Sequence, residues 1–180
     1  ILDVFENVPI QLGRALDEGV KKFKFRDTAY ARHRGFAAMR GPLTWLTKTR
    51  LCIKAPIANR AQVPLKAYCQ DARFKLYLFD VGILAAMLGI PAAHIMSSTL
   101  GSYKGYIIEN FLAQELVAGG LSEVIAWREG RAELELVFHD GSGIVPVEAK
   151  ASAKSRRSKS LEAFSERYPD TSRLYKVTGQ

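Results

Sequence analysis

The sequence predicts an α/β chain of the α+β kind in two parts. A basic, largely helical segment covers residues 1–70, and a mixed sheet flanked by helices covers residues 71–180. Three observations predict this. The net charge is +8, and all of the excess lies early: residues 1–70 hold 13 Lys and Arg against 5 Asp and Glu, whereas residues 71–180 hold 13 of each. From about residue 102 the hydrophobic period runs in the order helix, three strands, helix, strand. Within that order, Val145-Pro146-Val147-Glu148-Ala149-Lys150 is an apolar strand carrying a carboxylate and an ammonium at i and i+2, and so on one face.

At 180 residues and 48% hydrophobic, the chain can bury a core, as one domain or two small ones. Cys52 and Cys69 match no metal-ligand spacing, and two thiols suggest a reducing compartment. His33, His94 and His139 are isolated and form no ligand cluster. The longest apolar run, residues 81–90, is far short of the ~20 residues that span a bilayer. Nothing resembles a signal peptide, so a cytoplasmic protein is expected.

In the basic part, Asn7 is expected to cap a helix through Ile10, Leu12 and Leu16, with Pro9 in its first turn and Gly19 at its end. The run Lys21-Lys22-Phe23-Lys24-Phe25-Arg26 follows. One helical pattern covers residues 28–40, and another begins at Pro42 with Leu43, Trp45 and Leu46; Arg40-Gly41-Pro42 is the break between them. Residues 50–54 alternate like a strand, residues 55–62 read as a loop around Pro56, and Val63-Pro64-Leu65 suggests the return strand. Helices followed by a two-stranded ribbon make a winged-helix-like pattern. Arg26, Arg32, Arg34, Arg40, Lys48 and Arg50 would populate its surface. Such a surface suits DNA or RNA phosphates, or docking of another protein domain. Residues 28–50 contain no Asn or Gln able to read base edges, so salt-dependent phosphate contact is expected rather than sequence readout.

In the second part, residues 74–79 have strand character, and Asp80 stands at the N-cap of a helix through residues 81–88 that Gly89 closes. A further helix, from about residue 102 to 118, carries an apolar surface of Ile107, Ile108, Phe111, Leu112 and Leu116. Glu109 lies beside that stripe, and small residues at i−4 and i+4, Gly105 and Ala113, leave room for its carboxylate to reach inward. Strands follow at residues 123–128, 132–138 and 144–150, with turns at Glu129-Gly130 and Asp140-Gly141. Leu134, Leu136 and Phe138 are expected on one face of the middle strand, with Glu133, Glu135 and Val137 on the other. A basic polar stretch over residues 152–158 precedes a helix with Leu161 and Phe164, a break at Pro169-Asp170, and a last strand at residues 173–177. Trp45 and Trp127 are expected in the core.

This order, with carboxylates at Glu109, Glu135 and Glu148 and an ammonium at Lys150, resembles the PD-(D/E)xK nuclease superfamily. The resemblance implies a catalytic set in which Glu109 is the first-helix acid and Glu135 the second-strand metal acid. Glu148 and Lys150 would be the (D/E)xK pair. It also implies Mg²⁺ or Mn²⁺ held by Glu135 and Glu148. In such a site carboxylates hold the metal against a scissile phosphate, and lysine orients the attacking water.

A narrower resemblance covers nearly the whole chain. Phe74-Lys75-Leu76-Tyr77-Leu78-Phe79-Asp80-Val81-Gly82-Ile83-Leu84, Gly105-Tyr106-Ile107-Ile108-Glu109-Asn110-Phe111, Trp127-Arg128 with Glu133-Leu134-Glu135-Leu136, and Pro146-Val147-Glu148-Ala149-Lys150 carry it. They are similar to a domain of unknown function that follows the P-loop module in many prokaryotic AAA-type ATPases. No Gly-x-x-x-x-Gly-Lys-Ser/Thr loop occurs, so this chain has no ATP site of that kind; with the missing initiator Met, this suggests the C-terminal piece of a longer protein. The family's Asp is Glu135 here, and the extra methylene moves the carboxylate by ~1.5 Å. Magnesium holds its ligands at about 2.1 Å in near-ideal geometry, so cleavage does not follow from the fold alone.

The resemblance thus implies an accessory region of an AAA-type ATPase, nucleic-acid-associated, whose nuclease-like domain is catalytically degenerate. Two alternatives stay open. One is an active Mg²⁺-dependent endonuclease on DNA or RNA. The other is a protein-interaction or regulatory module that docks on its ATPase domain or another partner.

Overall fold

The computed structural model describes residues 1–17, 35–96, 100, 103–150, 158–171 and 173–178. Its elements are α1 (Leu2–Asp17), α2 (Gly35–Lys48), β1 (Cys52–Ala58), a 3-10 turn (Leu65–Tyr68), β2 (Cys69–Leu78), α3 (Val81–Met87), α4 (Ala92–Met96), α5 (Lys104–Ala118), β3 (Ile125–Glu129), β4 (Ala132–His139), β5 (Ile144–Lys150), α6 (Lys159–Arg167) and β6 (Tyr175–Thr178). The strands form one six-stranded sheet in the order β2-β1-β3-β4-β5-β6. It is mixed: β1 with β3 and β5 with β6 run parallel, and the other neighbours run antiparallel. The expected α/β class, with helices flanking a mixed sheet, is what the structure has.

Two apolar clusters hold the layers together. The larger joins Val4 and Val8 of α1, Met39, Leu43 and Leu46 of α2, Leu84 of α3, and Ile107 and Leu112 of α5 to Phe74, Leu76, Leu136, Val145 and Val147 of the sheet. The smaller gathers Trp127, Leu134 and Val137 against Leu161 and Phe164 of α6. The rings of Trp127 and Phe164 meet edge to face at 4.9 Å.

Several local expectations are corrected. Asn7 does not cap the first helix, which begins at Leu2; Asn7 and Pro9 are interior, because Val4, Val8 and Gln11 form one buried stripe. Gly19, the basic run at residues 21–26 and the helical pattern before residue 35 lie outside the described residues. Arg40-Gly41-Pro42 does not break α2, which runs through Pro42 to Lys48. An interior proline costs about 3 kcal/mol. Burying Met39, Leu43 and Leu46 on one stripe returns about 1.5–3 kcal/mol for each, so packing wins. Trp45, on the outer side of α2, is exposed rather than in the core, whereas Trp127 is buried.

Residues 55–58 are strand, not loop: β1 continues through Pro56. Strand β3 reaches only Ile57 and Ala58, so Pro56 has a strand neighbour on one side alone, where proline is tolerated. Val63-Pro64-Leu65 leads into the 3-10 turn, and the return strand is β2 itself. The ribbon β1–β2 is therefore part of the same sheet as β3–β6.

Both ends expected for α3 are met, and α6 has a cap of its own. Asp80 Oδ1 accepts from the Ile83 N–H at 2.8 Å, and Gly89 turns the chain with φ +64° after α3. Ser158 Oγ accepts from the Leu161 N–H at 3.1 Å. Among the described residues no helix is long and apolar enough to cross a membrane.

Candidate functional site: an acid and lysine cluster

The alternation of β2 builds one side of the site. Phe74 turns toward α2, its ring 6.0 Å from that of Phe36. Lys75 and Tyr77 therefore take the other side, which faces α5. Both reach the same carboxylate oxygen. Lys75 Nζ lies 3.0 Å from Glu109 Oε2, and the Tyr77 hydroxyl donates to that atom at 3.3 Å. The Lys75 and Glu109 side chains are only 11% and 17% exposed. Glu109 thus points inward as expected, but toward a strand lysine. An added Cβ at Gly105 would meet nothing within 4 Å, so the small residue there is not what makes the room.

Neighbouring side chains fix this geometry. The Asn110 side chain donates to the Leu78 carbonyl at 3.0 Å and accepts from the Leu78 N–H at 2.8 Å. One turn further, Gln114 Oε1 accepts from the Val81 N–H at 2.8 Å. Phe111, expected in the apolar stripe, faces outward and is exposed. Burial pulls the Lys75 pKa down, but Glu109 first, then Tyr77, Glu135 and Glu133, outweigh it and hold it well above the usual lysine value. Burial raises Tyr77, and Glu109 and Glu135 reinforce it against Lys75. At neutral pH, Lys75 is therefore an ammonium and Tyr77 a protonated donor.

Glu135 owes its position to an irregularity in β4. Ile125 pairs with Val137 and Trp127 with Leu134, so Glu135 and Leu136 together oppose Ala126. Such a bulge re-aims side chains. Leu134 and Val137 pack with α6, whereas Leu136 joins the α5 cluster. The expected grouping of Leu134 with Leu136 is corrected for this reason. The β4–β5 pairing ends at Leu136 and Val147, and the carboxylate then substitutes for the ladder: Glu135 Oε2 accepts from the Ala149 N–H at 3.0 Å. Burial and then the Glu109 charge push the Glu135 carboxyl up to about 7, against the opposing pull of Lys75 and the Ala149 N–H.

Val145, Val147 and Ala149 of β5 pack in the α5 cluster, so Glu148 and Lys150 take the alternate side. Lys150 Nζ lies 2.8 Å from Glu148 Oε1. Burial lowers the Lys150 pKa, but the Glu148 hydrogen bond and charge, then Glu135 and Glu109, outweigh it and raise it. Two acid–lysine pairs form, Glu109 with Lys75 and Glu148 with Lys150, and Glu135 lies within electrostatic reach of both lysines.

The donor chemistry suits a hard divalent cation. Glu148 Oε2, buried with no hydrogen-bond partner, is the kind of atom such an ion would satisfy. The remaining arrangement does not fit one. Glu109 Oε2 is held by Lys75, Glu135 Oε2 by a backbone N–H, and Glu148 Oε1 by Lys150. Among the described residues no three His, Cys, Asp or Glu side chains are grouped so as to hold a metal ion.

Of the basic set, Arg26, Arg32 and Arg34 lie outside the described residues. Arg40, Lys48 and Arg50 are exposed at the surface of α2 and its end, with Arg40 3.6 Å from an equally exposed Asp71. Arg50 has φ +58°. It occupies the C′ position of a Schellman motif, since the Leu51 N–H bonds the Leu46 carbonyl and the Arg50 N–H bonds that of Thr47. Glycine is the usual occupant there.

Sequence reasoning missed Lys75 and Tyr77. The signal was present: Phe74-Lys75-Leu76-Tyr77-Leu78 alternates, which marks one side of a buried strand as polar. Residues 104–179 match the family model described as Domain of unknown function (DUF4143). No curated protein and no solved structure matches the chain. The matched stretch runs from the start of α5 into the end of the sheet, and so contains Glu109, Glu135, Glu148 and Lys150 but neither Lys75 nor Tyr77.

Proposed function

We propose that this chain is a cytoplasmic accessory region of an AAA-type ATPase, whose nuclease-like domain keeps its charged cluster for binding and stability rather than for cleavage. The pairing inside the cluster carries this reading: Lys75 neutralises Glu109 at 3.0 Å, and Lys150 neutralises Glu148 at 2.8 Å. A lysine tied to its own carboxylate is not free to orient a water. The match over residues 104–179 and the motifs from Phe74 to Lys150 support the ATPase association. The exposed Arg40, Lys48 and Arg50, within a segment holding the whole +8 excess, support contact with nucleic-acid phosphates. Arg50 supports it further, because a residue kept at φ +58° where glycine is favoured calls for a use of its side chain.

One observation favours a second reading, a Mg²⁺- or Mn²⁺-dependent phosphodiesterase. Glu148 Oε2 is buried without a partner, and with Glu135 it would hold the ion that activates water against the phosphate. Incubating the protein with DNA and RNA and either ion, beside a Lys150→Ala variant, separates the readings. Products absent from both fit the accessory role; products that disappear in the variant establish the enzyme. If the basic surface instead docks on the ATPase half, nucleic-acid shifts seen with this chain should weaken in the longer protein.

A further inference from the structure

We infer that the exposed face of α2 binds single-stranded nucleic acid, with the Trp45 indole as the platform on which an unpaired base stacks. The inference rests on the nucleic-acid contact proposed above and names the kind of strand that contact takes. Helix α2 buries Met39, Leu43 and Leu46, and its turn angle leaves Arg40, Gly41, Thr44, Trp45 and Lys48 on one exposed face. A lone apolar side chain at a surface is ordinary. Trp45, 46% exposed, is set apart by its neighbours. Lys48 follows it at i+3 and Gly41 precedes it at i−4, positions about 5–6 Å away on a helix surface. Helical side chains lean toward the N-terminus, so the indole lies over the turn that holds Gly41. Glycine is a poor residue for a helix interior. Neither backbone nor packing asks for it here: Gly41 is not left-handed, and an added Cβ would meet nothing within 4 Å. Its missing side chain leaves the indole face bare, and among the described residues no ring or cation stacks on Trp45.

A bare aromatic face beside cations fits a single strand. Every unpaired base offers a π-face whatever its identity, which suits a helix that carries no Asn or Gln to read base edges. In a duplex the base faces are already stacked on one another, so the indole finds none to cover. The phosphates have their own partners. Arg40 and Lys48 flank Trp45 in sequence, about 12 Å apart along the helix axis, and Arg50 follows at the helix end. Arg40 lies 3.6 Å from Asp71, but these side chains are 69% and 82% exposed, and so open a pair is worth little. The guanidinium can therefore exchange that carboxylate for a phosphate. Stacking and phosphate contact both leave the sugar untouched, so DNA and RNA strands should bind alike.

Fluorescence anisotropy of labelled oligothymidylate measures the affinity. Tryptophan emission reports the stacking, since Trp127, the other of the chain's 2 tryptophans, is buried. Oligothymidylate should quench the wild-type emission. Trp45→Ala should remove that quenching and weaken binding by about 5- to 150-fold, the range one stacked base supplies. Trp45→Phe should keep most of the affinity. Gly41→Leu provides a check that misfolding cannot imitate: leucine favours the helix yet covers the indole, so the urea midpoint should rise while affinity falls severalfold. A hairpin duplex should bind less tightly and be indifferent to Trp45→Ala, and oligouridylate should match oligothymidylate. Unchanged oligothymidylate affinity in Trp45→Ala would overturn the inference and leave phosphate contact standing. An equal loss for the duplex, or wild-type emission that binding does not alter, would do the same. A chain that binds neither strand nor duplex at low salt would instead overturn the nucleic-acid contact itself and leave Trp45 to a protein partner.

Discussion

Asn110 grips Leu78 from both sides of one residue's backbone, accepting from its N–H at 2.8 Å and donating to its carbonyl at 3.0 Å. Asn110 is fully buried, so no water stands ready to replace it. Asn110→Ala should therefore lower unfolding free energy by about 2–4 kcal/mol, because two buried backbone groups lose their partners. Urea unfolding checks this. A loss below about 0.5 kcal/mol would mean that the contact is not made in solution.

The Lys75–Glu109 pair predicts non-additive substitutions. Lys75→Met alone leaves a mostly buried carboxylate uncompensated and should cost about 3 kcal/mol. Lys75→Met combined with Glu109→Leu should cost clearly less, since the orphaned charge is gone. Strictly additive losses in a double-mutant cycle would contradict the pairing.

Glu135 predicts a pH dependence whose sign can be worked out. Its folded pKa, raised to about 7, lies above the 4.5 of an unperturbed glutamate, so between these values the folded chain binds more protons than the unfolded one. Its contribution to stability is fully present below about pH 4.5 and is lost as pH rises through 7. Glu135→Gln should flatten the stability profile across that window, by on the order of 1–3 kcal/mol. Identical profiles for the two proteins would remove the assignment.

Arg50 predicts a trade between stability and binding. Arg50→Gly relieves the left-handed conformation at φ +58° and should stabilise by about 0.5–1 kcal/mol. The same change should weaken nucleic-acid binding and reduce its salt dependence by about one phosphate contact. A glycine variant that binds as well as the parent would leave the arginine without the proposed use.

Phe164 is fully buried against Trp127 and Tyr168, with ring centroids 4.9 Å from each. Phe164→Ala should cost about 3–5 kcal/mol. The indole should become wetter, and its fluorescence should shift to the red. Unchanged emission and stability would place α6 elsewhere.

Much of the second half of the fold was legible because its elements announce themselves locally, although α4 and the Ser158 cap were not read. Asp80 caps, Gly89 turns, and the periods of α5 and of the strands at Ala132–His139 and Ile144–Lys150 are clean. The first half was misread at its prolines, since Pro9, Pro42 and Pro56 all stand inside regular elements. Their cost is local and visible in sequence, while the burial of Val8, Met39, Leu43 and Ala55 that outweighs it comes from distant strands and helices. The site divides in the same way. Glu109, Glu135, Glu148 and Lys150 were named together only through the family resemblance that the order of elements carries. Lys75 and Tyr77 could not be assigned without knowing that β2 crosses beneath α5. The bulge at Glu135 has no local mark at all.

The hooks between α5 and the end of β2 separate two meanings of the word domain. The stretch that matches the family model starts at Lys104, yet Glu109, Asn110 and Gln114 all find their partners between Lys75 and Val81. A fragment cut at the start of that match would bare the β3 edge at Ala126 and Trp127, where β1 now lies. An uncovered apolar edge is a template for aggregation. The stretch that matches the family model and the unit that folds thus have different borders here, and any dissection of this protein has to respect the second.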